Sequence, residues 1–125
     1  MDEHSRRPVF LDLTRIHFPV TAVLSIGHRI AGVALFLAVP FAAWLLQRSL
    51  GGPAEYHAAA EFLNGGPVRV LSILLLWLAA HHFYAGLRYL LIDLDLGVGA
   101  RAARRSAWAV IAAALATLFL GVWIW

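Results

Sequence analysis

Residues 77–93 read WLAAHHFYAGLRYLLID, and this stretch decides how the rest of the chain is understood. It continues an apolar run from Val68 to Ala80 that carries no charge after Arg69. Two histidines, an arginine and an aspartate then appear in what otherwise has the composition of a membrane span. Ionisable groups are expensive in hydrocarbon, so each one inside a span is a candidate functional group. At about 100° per residue, His82, Gly86, Tyr89 and Asp93 fall on one stripe of a helix. His81, Tyr84 and Arg88 form the neighbouring stripe. A histidine followed four residues later by glycine puts an imidazole beside a gap in the side-chain surface. A flat ring such as a porphyrin fits a gap of that kind.

Composition supports the membrane reading. The chain has 125 residues, 62% of them hydrophobic and 14% charged, against roughly 25% charged in soluble domains. A soluble chain this short cannot bury so much apolar surface. With no cysteine, thiolate-held clusters, thiolate-held zinc and disulfides within the chain are excluded. All ten basic residues are arginine and the formal net charge is +3. In so apolar a chain this charge fits membrane orientation better than nucleic-acid binding. The stretch from Met1 to Pro19 contains Asp2, Glu3, Arg6, Arg7 and Asp12 and lacks the continuous apolar core of a cleavable signal.

The expected architecture is all-α: one domain over 1–125, with an N-terminal cytoplasmic arm (1–19) and three transmembrane helices, up-down-up. The spans are expected near 20–46, 68–92 and 106–125, each close to the roughly 20 residues that crossing requires. Gly51-Gly52-Pro53 and Asn64-Gly65-Gly66-Pro67 bracket a mildly polar, helical linker, and Gly97 and Gly99 mark the second turn. Pro19 suits the first turn of the first span, and Pro40 interrupts its far half. Arg6, Arg7 and Arg15 in the arm and Arg101, Arg104 and Arg105 in the second linker place those segments on the cytoplasmic side. The C-terminus, ending Trp123-Ile124-Trp125, is then on the opposite, periplasmic side. Trp44, Trp77 and Trp108 read as interfacial belt residues. His4, His17 and His57 read as solvated.

Several polar residues inside the spans admit two readings. His82 is either a neutral histidine donating to a carbonyl on a neighbouring helix or an axial ligand to haem iron. His81 points about 100° away from it. His28 is expected near the membrane edge, whereas His82 is about 16 Å along its helix from Asp93. On that difference in depth His28 is a poor second ligand, which points to another polypeptide. Arg29 and Arg88 either snorkel or face carboxylates such as haem propionates, for which arginine offers two parallel donors. Ser25, His28, Arg29 and Asp93 either cap and pair locally or supply donors and a proton route to a quinone headgroup.

Two motifs on the first two spans carry a resemblance. The first part reads Arg7-Pro8-Val9, Leu11-Asp12-Leu13, Phe18-Pro19-Val20-Thr21-Ala22, then Ser25-x-x-His28-Arg29 and Gly32. The second reads His82-x-x-x-Gly86-Leu87-Arg88, then Asp93. Over essentially its whole length the chain resembles the cytochrome b membrane-anchor subunit of bacterial succinate dehydrogenase, respiratory complex II. That resemblance implies that His82 is one axial ligand of haem b and that a second hydrophobic anchor subunit supplies the other. It implies that His28, Arg29 and Arg88 lie near the haem propionates, and that Ser25, Arg29 and Asp93 line a ubiquinone site beside an iron–sulfur subunit. A flavoprotein subunit would oxidise succinate, and the complex would sit in the bacterial inner membrane. The chain departs from the family pattern at Ala31, where a small hydroxyl residue is usual. It departs again at Tyr89, where histidine or phenylalanine is frequent, so a polar contact there becomes a phenol or is lost. His81 is an extra histidine beside the expected ligand. The alternatives are the anchor of a quinol:fumarate reductase, or a haem-free helical assembly or transport subunit.

Overall fold

In a bilayer every backbone N–H and C=O must find its partner within its own segment, and the three apolar segments do so as helices. The computed structural model describes residues 16–125, and these form α1 (Val20–Ser49), α2 (Pro53–Asn64), α3 (Gly66–Asp93) and α4 (Ala100–Ile124). Among the described residues there is no β-strand. Three of the helices (α1, α3 and α4) are long and apolar enough to cross a membrane.

The helices overrun the boundaries expected from sequence. With 30 residues, α1 is about 45 Å long, more than the roughly 30 Å of a hydrocarbon core. Pro19 precedes it with extended backbone, and its carbonyl accepts from Ala22 and Val23. The helix continues unbroken through Pro40, which has no N–H to offer the Phe36 carbonyl. The helix that carries the third span begins at Ala100, ahead of the expected span. Arg101, Arg104 and Arg105 therefore ride on its exposed first turns instead of in a linker.

Two turns join the antiparallel helices. Gly52, at φ 133°, begins α2, a backbone shape only glycine adopts freely. Helix α2 folds back along α1, held by an Arg48–Glu55 ion pair at 3.0 Å and by Phe62 against Phe41 and Trp44. The α3–α4 turn uses left-handed backbone at Asp95 and Gly97. At the far end Trp125 Nε1 donates to Asn64 Oδ1 at 2.8 Å, tying the C-terminus to the end of α2.

The shared interior is small. Leu24 from α1, Ala85 from α3, and Ala107 and Val110 from α4 form its centre. Leu24 is the only large side chain wholly buried among the described residues. Lipid tails are as apolar as leucine, so helices in a bilayer gain from close backbone approach rather than from hiding side chains, and small residues allow it. Accordingly Phe36, Phe83, Phe119 and Trp123 point outward.

Ala85→Leu or Ala107→Leu is expected to force α3 and α4 apart and to cost about 1–3 kcal/mol. This should appear as a lower unfolding midpoint in detergent micelles. The outward-facing change Phe119→Leu should stay within about 0.5 kcal/mol of the parent.

Candidate functional site

The polar residues of α1 and α3 meet where those two helices cross. A Cβ added to Gly32 of α1 would lie 3.0 Å from His82 Cε1, and one added to Gly86 of α3 would lie 3.6 Å from His28 Nε2. Each helix therefore carries a histidine and, one turn on, the glycine that receives the other helix's histidine. The two imidazoles stack with centroids 4.1 Å apart and planes 11° apart. His82 Nδ1 lies 3.1 Å from the His28 carbonyl oxygen. A carbonyl only accepts, so Nδ1 carries the proton and Nε2 keeps the lone pair. Tyr89 continues the column, its ring 5.3 Å from that of His28.

This arrangement corrects two expectations. His28 and His82 are not at different depths, because their rings stack with centroids 4.1 Å apart. Nor are the gaps beside the glycines open, since each holds the crossing helix's imidazole. His28 is still unsuited to share an iron with His82. Stacked rings direct their in-plane lone pairs side by side, not towards a common point between them.

Tyr84 and Arg88 of the second stripe of α3 face α4, whereas His81 does not follow them. Arg88 is only 6% exposed. Its Nε donates to Ser106 Oγ at 2.9 Å and its Nη2 to the Ala103 carbonyl at 3.0 Å. The guanidinium also lies 5.5 Å from the Tyr89 ring centre. Arg88 therefore does not snorkel to the surface. Its hydrogen bonds within the bundle offset the cost of burying the charge. Higher on the same stripe, the Tyr84 and Thr117 hydroxyls are 3.2 Å apart. Ser106 and Thr117 were not singled out from sequence. Their signal was that they are the two hydroxyl residues in an otherwise apolar or arginine-bearing segment.

His81 takes a different place from His82. It lines a cavity of about 360 Å³ with Val23, Gly27, Ile30, Trp77 and Leu115. Its Nε2 would be 2.9 Å from a Cβ added to Gly27. Among the described residues that nitrogen is buried without a partner, as are Trp77 Nε1 and the Tyr89 hydroxyl. Trp77 sits at mid-length of α3, half-buried, so it is not a belt residue.

Ser25 and Arg29 are one turn apart on α1, half-buried and exposed respectively, on the helix end that packs near Tyr89. Asp93 closes α3 at that same end and is exposed. The expectations for the arm before residue 16 lie outside the described residues. Among the described residues no three His, Asp or Glu side chains gather to hold a bare metal ion. A haem iron asks less of one chain, a single axial imidazole.

Comparison with known proteins supplies the context. Residues 3–121 match the family described as succinate dehydrogenase/fumarate reductase transmembrane subunit. A protein of Coxiella burnetii named succinate dehydrogenase cytochrome b556 subunit is 39% identical, over 98% of this chain and 99% of its own length. Proteins of the same name from Rickettsia bellii and Paracoccus denitrificans are 32% and 28% identical, covering 95% and 85% of this chain. They are covered over 94% and 82% of their own lengths.

The two neighbouring histidines should respond differently to substitution. Removing an unpartnered buried nitrogen is neutral or favourable, so His81→Leu is expected to leave thermal stability in detergent unchanged or raised. Gly32→Leu, which drives a side chain into His82, is expected to cost about 1–3 kcal/mol.

Proposed function

The chain belongs to the succinate dehydrogenase/fumarate reductase transmembrane subunit family, and from that premise we propose that it supplies one axial ligand of haem b and part of a ubiquinone site. It is a multi-pass membrane protein with three apolar helices.

The observation that carries the haem reading is the state of His82. Its Nδ1 proton is engaged by the His28 carbonyl, so the other nitrogen, Nε2, is the basic one. Metal-binding histidines are ordinarily held in this way, with the second ring nitrogen donating to a carbonyl or carboxylate. The bare Tyr89 hydroxyl fits as well, because a buried O–H requires an acceptor. A propionate carboxylate beside His28, Arg29, Tyr89 and Arg88 would provide one. Haem b, when bound, serves as a one-electron carrier. His82 would hold the iron through Nε2, and a second hydrophobic anchor subunit would supply the other ligand.

Ser25, Arg29 and Asp93 then serve the quinone. Reduction to quinol takes two electrons and two protons. Ser25 and Arg29 donate hydrogen bonds to one quinone carbonyl and orient the ring, while a residue of a neighbouring subunit contacts the other carbonyl. Asp93, at the water-facing end of α3, is placed to pass protons from the surface. Electrons arrive from an iron–sulfur subunit, fed by a flavoprotein subunit that oxidises succinate. The complex lies in the bacterial inner membrane with the N-terminus cytoplasmic and the C-terminus periplasmic. The relatives from Coxiella burnetii, Rickettsia bellii and Paracoccus denitrificans are all named for succinate dehydrogenase, which favours succinate oxidation over the reverse reaction.

Ser25→Ala or Arg29→Leu is expected to lower quinone reduction, the arginine change roughly ten- to hundred-fold as the loss of a charge-assisted hydrogen bond and the serine change less. Succinate oxidation by an artificial dye should continue at the parent rate in the same membranes. Equal loss of both activities would count against the quinone assignment. In reduced-minus-oxidised spectra the b-type bands should vanish in His82→Ala and persist in His81→Leu. The reverse result would move the ligand by one residue.

A further inference from the structure

On the reading that His82 ligates haem iron, we infer that α1 positions the ligand: the His28 carbonyl fixes the tautomer of His82, and the flat face of the His28 ring fixes the rotation of its imidazole.

A histidine ring is poorly constrained by its own torsions. Its χ2 is broad and roughly two-fold, so an isolated imidazole offers either nitrogen to a metal. Three contacts remove that freedom here. The 3.1 Å approach to the His28 carbonyl commits Nδ1 as the donor. The stacked His28 ring, 4.1 Å away and 11° from parallel, covers one face. The Gly32 backbone closes the Cε1 edge, since even a methyl there would come within 3.0 Å. The only direction left for a metal is along Nε2, at a set rotation about that axis. His28 acts through His82, so it is a positioning residue and not a ligand.

Two different properties of His28 are thereby separated. A role near the propionates needs its polar nitrogens. The positioning role needs a flat ring and a helical carbonyl. Phenylalanine at position 28 keeps the second pair and loses the first. Leucine keeps the carbonyl but presents no flat face. Alanine at position 32 leaves His28 untouched and displaces the His82 ring directly.

The test is made on the assembled complex in native membranes. The g-values of its low-spin ferric haem report how the axial imidazole planes are rotated. His28→Phe should keep the parent g-values, whatever haem content it retains. His28→Leu and Gly32→Ala should each shift the g-values of the haem they retain, and Gly32→Ala, which spares the nitrogens of His28, should also weaken haem retention about 10–100-fold, as loss of a supporting contact does at metal sites. Parent g-values in either of those two variants overturn the inference. A His28→Phe complex with the shifted g-values of His28→Leu overturns it too, in favour of a purely polar role. The ligand assignment itself fails separately, on survival of the six-coordinate spectrum in His82→Ala.

Discussion

A polar group buried in a bilayer has no water to fall back on, and the helix packing of this chain is arranged around that constraint. The α1–α3 crossing solves it reciprocally. His28 rests on Gly86, and His82 rests on Gly32. Because the helices run antiparallel, one His-x-x-x-Gly pattern on each suffices to bring both pairs together. Glycine is needed here for space, not for unusual backbone angles, since both positions are helical. The imidazoles bring the helices close and one carbonyl satisfies one ring nitrogen.

The second polar stripe of α3 performs the corresponding task towards α4. Arg88 could have reached the surface, yet it turns inward and closes a small network with Ser106 and the Ala103 carbonyl. This fixes α4 to α3 near one membrane surface. Tyr84 with Thr117 does so nearer the middle. Between these pins the contact is made by alanines, which explains why so few large side chains are buried. Both stripes were visible in the sequence as stripes. Their destinations, His82 and His81 against glycines of α1 and Tyr84 and Arg88 against α4, required the fold.

Much of the fold was legible because length and hydropathy alone constrain membrane helices. The three spans and the polar helix between the first two follow directly from composition and from the Gly-Pro turns. The boundaries were less legible, because amphipathic ends such as Arg101 to Arg105 can be helix or linker depending on where the interface falls. At the site, the residue types were readable but their mutual depth was not. Depth was measured for His28 from one helix and for His82 from another, with no knowledge of how far each overhangs the membrane. Trp77 failed for a related reason: tryptophan is enriched at interfaces, but this one falls at the centre of a 28-residue helix.

The two readings of His82 posed by the sequence, a carbonyl-bound histidine or a metal ligand, do not compete once the ring is seen to have two ends. One nitrogen holds the helix crossing and the other is freed by that same bond. The consequence is asymmetric. His28 gives its carbonyl to His82 and its ring face to the same partner, which leaves it unable to approach an iron from the opposite side. His81 presses its nitrogen against Gly27 within another cleft. A six-coordinate haem on this chain therefore needs a second imidazole from outside it. On the proposed reading, dependence on a second subunit is thus a result of how this chain satisfies its own buried histidines.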